Sequence, residues 1–143
     1  MTHPRISATE AHHRMREDGY VYLDVRTAEE FALGHPQGAY NVPFLLNAGA
    51  GVATNPEFVR VVQATFATSE KIVVGCQTGD RSRHASAALL AAGYTTLLEQ
   101  RAGYAGARDA FGRVVEPGWQ ALGLPSSVHA EPGRAYAALR ARA

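Results

Sequence analysis

The chain has 143 residues, 46% of them hydrophobic and 19% charged, and its 14 Lys and Arg against 13 Asp and Glu leave a formal net charge of +1. That is the length of one domain, apolar enough to build a core without disulfides and too sparsely charged for a disordered tail. No basic stripe suits nucleic acid, no apolar run approaches the roughly 20 residues of a membrane span, and MTHPRISATE lacks an apolar signal core, so a cytoplasmic chain without nucleic-acid or membrane partners is expected.

In chain order, Ser7 and Glu10 have capping-box spacing and open a helix through ATEAHHRMRED, ended by Gly19. YVYLDV, residues 20–25, is a β-branched and aromatic strand that runs into Thr27 and Glu30, a second capping-box pair for the short helix AEEFALG. HPQGAYNVPF predicts a turn and a short strand near Gly38 to Val42, and the small residues of NAGAGVATN a loop. Asn55 and Pro56 suit the start of a helix through about Phe66. KIVVG, residues 71–75, is an apolar run of the length of a strand buried on both faces. SRHASAALLAA then predicts a helix from Ser82 to Gly93, TTLLE a strand over 95–99, and the stretch from Tyr104 to Ala110 another helix. Strands alternating with helices imply an α/β layer fold with a mainly parallel sheet. After Pro125 the composition changes, and residues 126–143 form an extension with a candidate short helix after Pro132 and Gly133.

Cys76 is the only cysteine, so there is no intrachain disulfide and no Cys pair for zinc; neither metal nor cofactor is expected. An isolated cysteine is more often a small apolar core residue than a reactive group. Here, however, it ends a strand and is followed at once by Gln77, Thr78, Gly79, Asp80, Arg81 and Ser82, a glycine-bearing loop that leads into a helix. Loops at the carboxyl ends of parallel strands gather ligands, and their N–H groups form nests that favour anions. A thiolate or persulfide is such an anion, and the helix N-terminus with the Arg81 guanidinium should lower the thiol pKa from about 8.5 toward the reactive range. Covalent catalysis by Cys76 follows. Gly75 and Gly79 do not make a phosphate P-loop, because the required Lys is missing.

The blocks YLDVRTAEEFALGHPQGAYNVPF, VVGCQTGDRSRHASAALLAAGY and GWQALGLP, in that order, resemble the single-domain rhodanese-like sulfurtransferases from about Ser7 to Pro125. The resemblance implies a single domain over residues 1–125, α/β, with a mainly parallel five-stranded sheet flanked by helices on both faces. It makes Cys76 the residue that takes up sulfane sulfur as a persulfide, CQTGDR the six-residue active loop, and Arg81 a brace for the loop or its anion. Asp24 and Arg26 match the Asp-x-Arg signature, and His35 the histidine of the turn. Asp24 and Arg26 are expected to support the loop by charge pairing, and His35 to hydrogen-bond backbone. Arg83 could steer an anionic donor or lie on the helix surface, and Tyr104 could line the pocket or pack in the core. One departure is that Ala102 and Gly103 replace paired glycines, and the only Trp follows much later, after FGRVVEPG.

The leading function is transfer of sulfane sulfur from a small sulfur-containing anion such as thiosulfate to a thiophilic acceptor, cyanide in the laboratory. A different class is a persulfide carrier that docks on a protein sulfur acceptor. A cysteine phosphatase or arsenate reductase of the related fold is disfavoured, because Cys76 and Arg81 enclose one residue fewer than such loops hold.

Overall fold

In the computed structural model, which describes residues 3–143, a short strand, Arg5–Ile6 (β1), precedes a helix, Ala8–Glu17 (α1). Ser7 caps that helix, its Oγ accepting from the Glu10 N–H at 3.1 Å. The Glu10 carboxylate turns to Arg14 instead of completing a capping box. Val21–Asp24 (β2) leads into Ala28–Leu33 (α2), where the box is complete: Thr27 Oγ1 accepts from the Glu30 N–H at 3.2 Å and Glu30 Oε1 from the Thr27 N–H at 3.0 Å. His35–Pro36 (β3) and Tyr40–Asn41 (β4) follow.

An expected loop is instead a hairpin, Leu45–Ala48 (β5) with Gly51–Thr54 (β6), turning at Gly49 with φ +62°. All four residues of β6 are exposed, so backbone pairing rather than an apolar face holds it, and the sequence shows no alternation to betray it. Phe58–Thr65 (α3), Ile72–Gly75 (β7), Asp80–Ala91 (α4) and Leu97–Gln100 (β8) complete the central architecture. The five-stranded sheet has the order β1-β8-β7-β2-β4 with every pairing parallel.

Side chains alternate across this sheet, so the central strands β2, β7 and β8 each serve two cores. Leu23, Ile72, Val74 and Leu97 pack with Phe58, Val61 and Val62 of α3 and with Ala85 and Leu89 of α4. Tyr22, Val73 and Leu98 face the opposite way, onto Ala8 and Ala11 of α1, Phe31 of α2 and Trp119. Helices therefore cover both faces. Cys76 continues the parity of Ile72 and Val74 and belongs to the α3–α4 side.

No helix forms over Tyr104 to Ala110. Gly103 and Gly106 adopt φ of +71° and +110°, which break a helix, and Ala107–Arg108 (β9) pairs antiparallel with Val114–Glu116 (β10). Asp109 closes the turn by accepting from the Phe111 and Arg113 N–H groups at 2.9 and 3.0 Å. After this excursion the Trp119 N–H donates to the Gly103 carbonyl at 3.0 Å. The late tryptophan thus returns to the point where the chain left, and its ring is buried.

The extension docks on the domain. Ser126–Ser127 (β11) pairs antiparallel with β3, and Tyr136–Arg142 (α5) places Leu139, only 1% exposed, in the same core as α3. Arg134 donates to the Gly38 carbonyl at 2.9 Å, and Asn55 Nδ2 to the Tyr136 hydroxyl at 3.1 Å. Among the described residues no helix is long and apolar enough to cross a membrane.

Candidate active site

Strand β7 is buried along its whole length and delivers Cys76 to the carboxyl edge of the sheet. A Cβ on Gly75 would stand 1.8 Å from the Tyr22 hydroxyl, so the missing side chain there makes room for that ring. Helix α4 begins at Asp80, two residues before the expected Ser82, because Gly79 serves as its N-cap in a left-handed conformation (φ +106°). This bend turns the Gly79 N–H onto Cys76 Sγ at 3.2 Å. The Cys76 thiol, 2% exposed, donates to Ser82 Oγ at 3.4 Å. Sulfur, the Gly79 N–H and the start of a twelve-residue helix thus meet at one point.

Two straps hold the loop in place. The Tyr104 and Ala105 N–H groups donate to the Cys76 and Gln77 carbonyls at 2.8 and 2.9 Å, an approach that leaves no room for a side chain at Gly103. From the other side, Arg26 donates to Gln77 Oε1 at 2.9 Å and to the Gly34 carbonyl at 2.6 Å. Asp24 holds that guanidinium with contacts of 2.7 to 3.1 Å, and the Tyr104 ring lies 4.6 Å from it. Asp24 and Arg26 are therefore next to the loop rather than next to the sulfur. His35 is engaged by α2: Nδ1 donates to the Phe31 carbonyl at 2.7 Å, and the imidazole stacks on the Phe31 ring.

Arg81 is engaged by a carboxylate. Its guanidinium donates to Glu30 Oε1 at 2.6 Å and Oε2 at 2.9 Å, tying the first turn of α4 to the capping box of α2. Burial would raise the Glu30 carboxyl, but hydrogen bonds from Arg81 and Thr27 outweigh it and bring the pKa down to about 2. Among the described residues Arg81 makes no hydrogen bond to Cys76. Asp80 is exposed in the first helical turn, where an acid complements the helix dipole, and Thr78 is half-buried. Arg83 is exposed on α4.

Arg26, Glu30, Gln77 and Tyr104 line a pocket of about 180 Å³ beside the loop. A neighbouring groove of about 440 Å³ shares Leu33, Gly34, Tyr104 and Gln120 with it and continues over Ser127, Val128 and His129. Tyr104 both lines these spaces and is largely buried. One residue that sequence reasoning passed over is Glu99: the carboxylate is fully buried and accepts from the Ser82 hydroxyl at 3.1 Å. A glutamate directly after Leu97 and Leu98 in the strand TTLLE was the available signal.

Known proteins are similar to this chain in sequence and in fold. Rhodanese-like domain-containing protein 15, chloroplastic, of Arabidopsis thaliana is 43% identical over 90 residues, 63% of this chain and 50% of that protein. Thiosulfate sulfurtransferase 16, chloroplastic, of the same plant is 44% identical over 99 residues, 69% of this chain and 82% of that protein. The chain thus spans about half the length of some of the curated relatives it matches. The crystal structure of Rv0390 from M. tuberculosis superposes with a TM-score of 0.73 at 23% identity, over 90% of this chain and 100% of that one, a likeness of fold. The cytoplasmic placement expected from the N-terminus is corrected by these relatives, whose names place them in the chloroplast. Transit segments are polar and amphipathic, so a polar N-terminal stretch does not separate a cytoplasmic protein from a chloroplast one. The model of the Rhodanese-like domain matches residues 7–110, from the cap of α1 through the cysteine loop to the first strand of the late hairpin, and the chain belongs to that family.

Proposed function

We propose that the chain is a sulfurtransferase that carries sulfane sulfur on Cys76 as a persulfide, from a small anionic donor such as thiosulfate to a thiophilic acceptor. The observation that carries this reading is the buried sulfur at the start of α4, taking the Gly79 N–H at 3.2 Å with the Ser82 hydroxyl alongside. The Cys76 thiolate attacks the outer sulfur of the donor; a new S–S bond forms, the donor's S–S bond breaks, and its electron pair leaves on sulfite. An acceptor such as cyanide then attacks the outer sulfur of the persulfide, thiocyanate departs, and the Cys76 thiolate is restored. Two half-reactions on one nucleophile give ping-pong kinetics. Gly79 and the loop N–H groups hold the anionic sulfur, Asp24 and Arg26 fix Gln77, and Arg81 with Glu30 braces the first turn of α4. In Cys76→Ser, cyanide-dependent thiosulfate turnover should vanish while the fold remains; substantial residual turnover would refute the mechanism.

A protein acceptor is the second reading. It is supported by the groove beside the pocket, where Leu33 and Val128 are 84% and 58% exposed, an unusual cost for a site that meets small anions alone. Replacing Val128, which lines the groove but not the pocket, by Ser should then leave cyanide turnover unchanged and slow transfer to protein thiols. Equal effects on both acceptors would remove this reading.

A further inference from the structure

Strand β8 carries an acid that the proposed reaction does not use. Glu99 lies on the α4 side of the sheet, where Oε2 accepts from the Ser82 hydroxyl at 3.1 Å. Oε1 takes His3 Nε2 at 2.9 Å and lies 3.3 Å from Arg5 Nε. A carboxylate only accepts, so the proton in the His3 bond sits on Nε2. Arg5 supplies the opposite charge that a buried carboxylate needs.

Ser82 has one proton and three acceptors in reach: Glu99 Oε2 at 3.1 Å, the Gly79 carbonyl at 3.2 Å and Cys76 Sγ at 3.4 Å. A charged acceptor holds the proton more strongly than a carbonyl or a neutral thiol. The hydroxyl therefore points to Glu99, and the Ser82 lone pair faces the sulfur and accepts its S–H. That arrangement favours the thiol. To stabilise a thiolate, Ser82 must turn its proton onto the sulfur, away from Glu99.

We infer that Glu99 is a positioning residue for Cys76: through the direction of the Ser82 hydroxyl it sets how readily the sulfur gives up its proton. The inference rests on the proposed role of Cys76 as the reacting sulfur. The other groups around the sulfur act by separate routes. The Gly79 N–H donates to it directly, and Arg81 and Tyr22 interact with its charge through space. Facing Glu99, besides Ser82, are His3 and Arg5 from the segment that forms β1. The N-terminal edge strand is thus joined to the sulfur by three successive side chains.

The test is the pH profile of iodoacetamide alkylation on the full chain, in which the single cysteine makes the rate a readout of Cys76 thiolate alone. Glu99→Gln keeps the shape and the acceptor toward His3, while its amide donates to Ser82 Oγ and frees the hydroxyl proton for the sulfur. The profile should move to lower pH, with alkylation faster by about threefold or more on its acid limb. The same substitution in a Ser82→Ala background should have little effect. Removal of a nearby negative charge, acting through space, would accelerate both backgrounds equally; that result, or an unchanged profile, overturns the inference. If Glu99→Gln fails to fold by circular dichroism, His3→Ala takes its place. Glu99 then has one donor fewer and pulls harder on Ser82, so the profile should move to higher pH, again only with Ser82 present. A shift independent of Ser82, or none, is equally fatal. Alkylation needs no sulfur donor, so the outcome is separate from whether Cys76 ever carries a persulfide.

Discussion

A methyl group at Gly79 would stand 2.4 Å from the Arg101 carbonyl, on a backbone held at φ +106°. Neither problem can be relieved without moving the N–H that faces Cys76, because the same residue caps α4. Gly79→Ala should therefore cost roughly 1–3 kcal/mol of stability, measured by urea unfolding, and lower sulfur transfer more than a surface substitution of equal stability cost. The Arg81–Glu30 pair makes a pH prediction. The Glu30 carboxyl is held down to about 2 from an ordinary 4.5, so its contribution is complete above pH 4.5 and is lost as pH falls toward 2. Both side chains are partly exposed, which limits the effect to the order of 1 kcal/mol. Glu30→Gln should accordingly be less stable than the parent at neutral pH, with the difference closing between pH 4.5 and 2. A difference that stays constant over that range would show that the carboxylate charge does not matter.

Among the elements, α5 contributes to stability through one residue. Leu139 is 1% exposed and packs in the core shared with α3, so Leu139→Ala should destabilise by about 2–5 kcal/mol. Deletion of residues 126–143 should cost at least as much, since it also removes β11 from β3; unchanged urea midpoints would mean that the helix is a passive attachment. Which elements were legible follows from what holds them. Thr27 and Glu30 announce α2, and the apolar run before Cys76 announces β7, because caps and buried strands leave local signatures. Strand β1 and the hairpins β5–β6 and β9–β10 leave none: β1 is two residues paired by backbone to β8, and β6 is exposed on every residue. The Tyr104–Ala110 segment has helix-forming residues, but Gly103 and Gly106 at positive φ override them. Leu139, a single leucine in an Ala- and Arg-rich stretch, gives no periodic pattern from which docking can be read.

At the scale of the whole molecule, a parallel sheet gathers the carboxyl ends of β2 and β7 at one edge, and this brings Asp24 and Arg26 to the loop that starts at Cys76. That much follows from strand order and from the glycine, arginine and serine crowded after one cysteine. The link from Glu99 to Ser82 was not legible, since it depends on the register of β8 beside β7 and on the face that α4 covers. The same loop geometry bears on the choice between sulfur and phosphate chemistry. Four residues lie between Cys76 and Arg81, and Arg81 is bound to Glu30, so the proposed function carries an expectation about phosphate esters. Aryl phosphate hydrolysis dependent on Cys76 should be undetectable. The most direct measurement is the intact mass of the full chain after thiosulfate and then after cyanide. A gain of one sulfur atom, lost again on adding cyanide and absent in Cys76→Ser, is the predicted result; a mass that never changes, or a sulfur retained in Cys76→Ser, would contradict it.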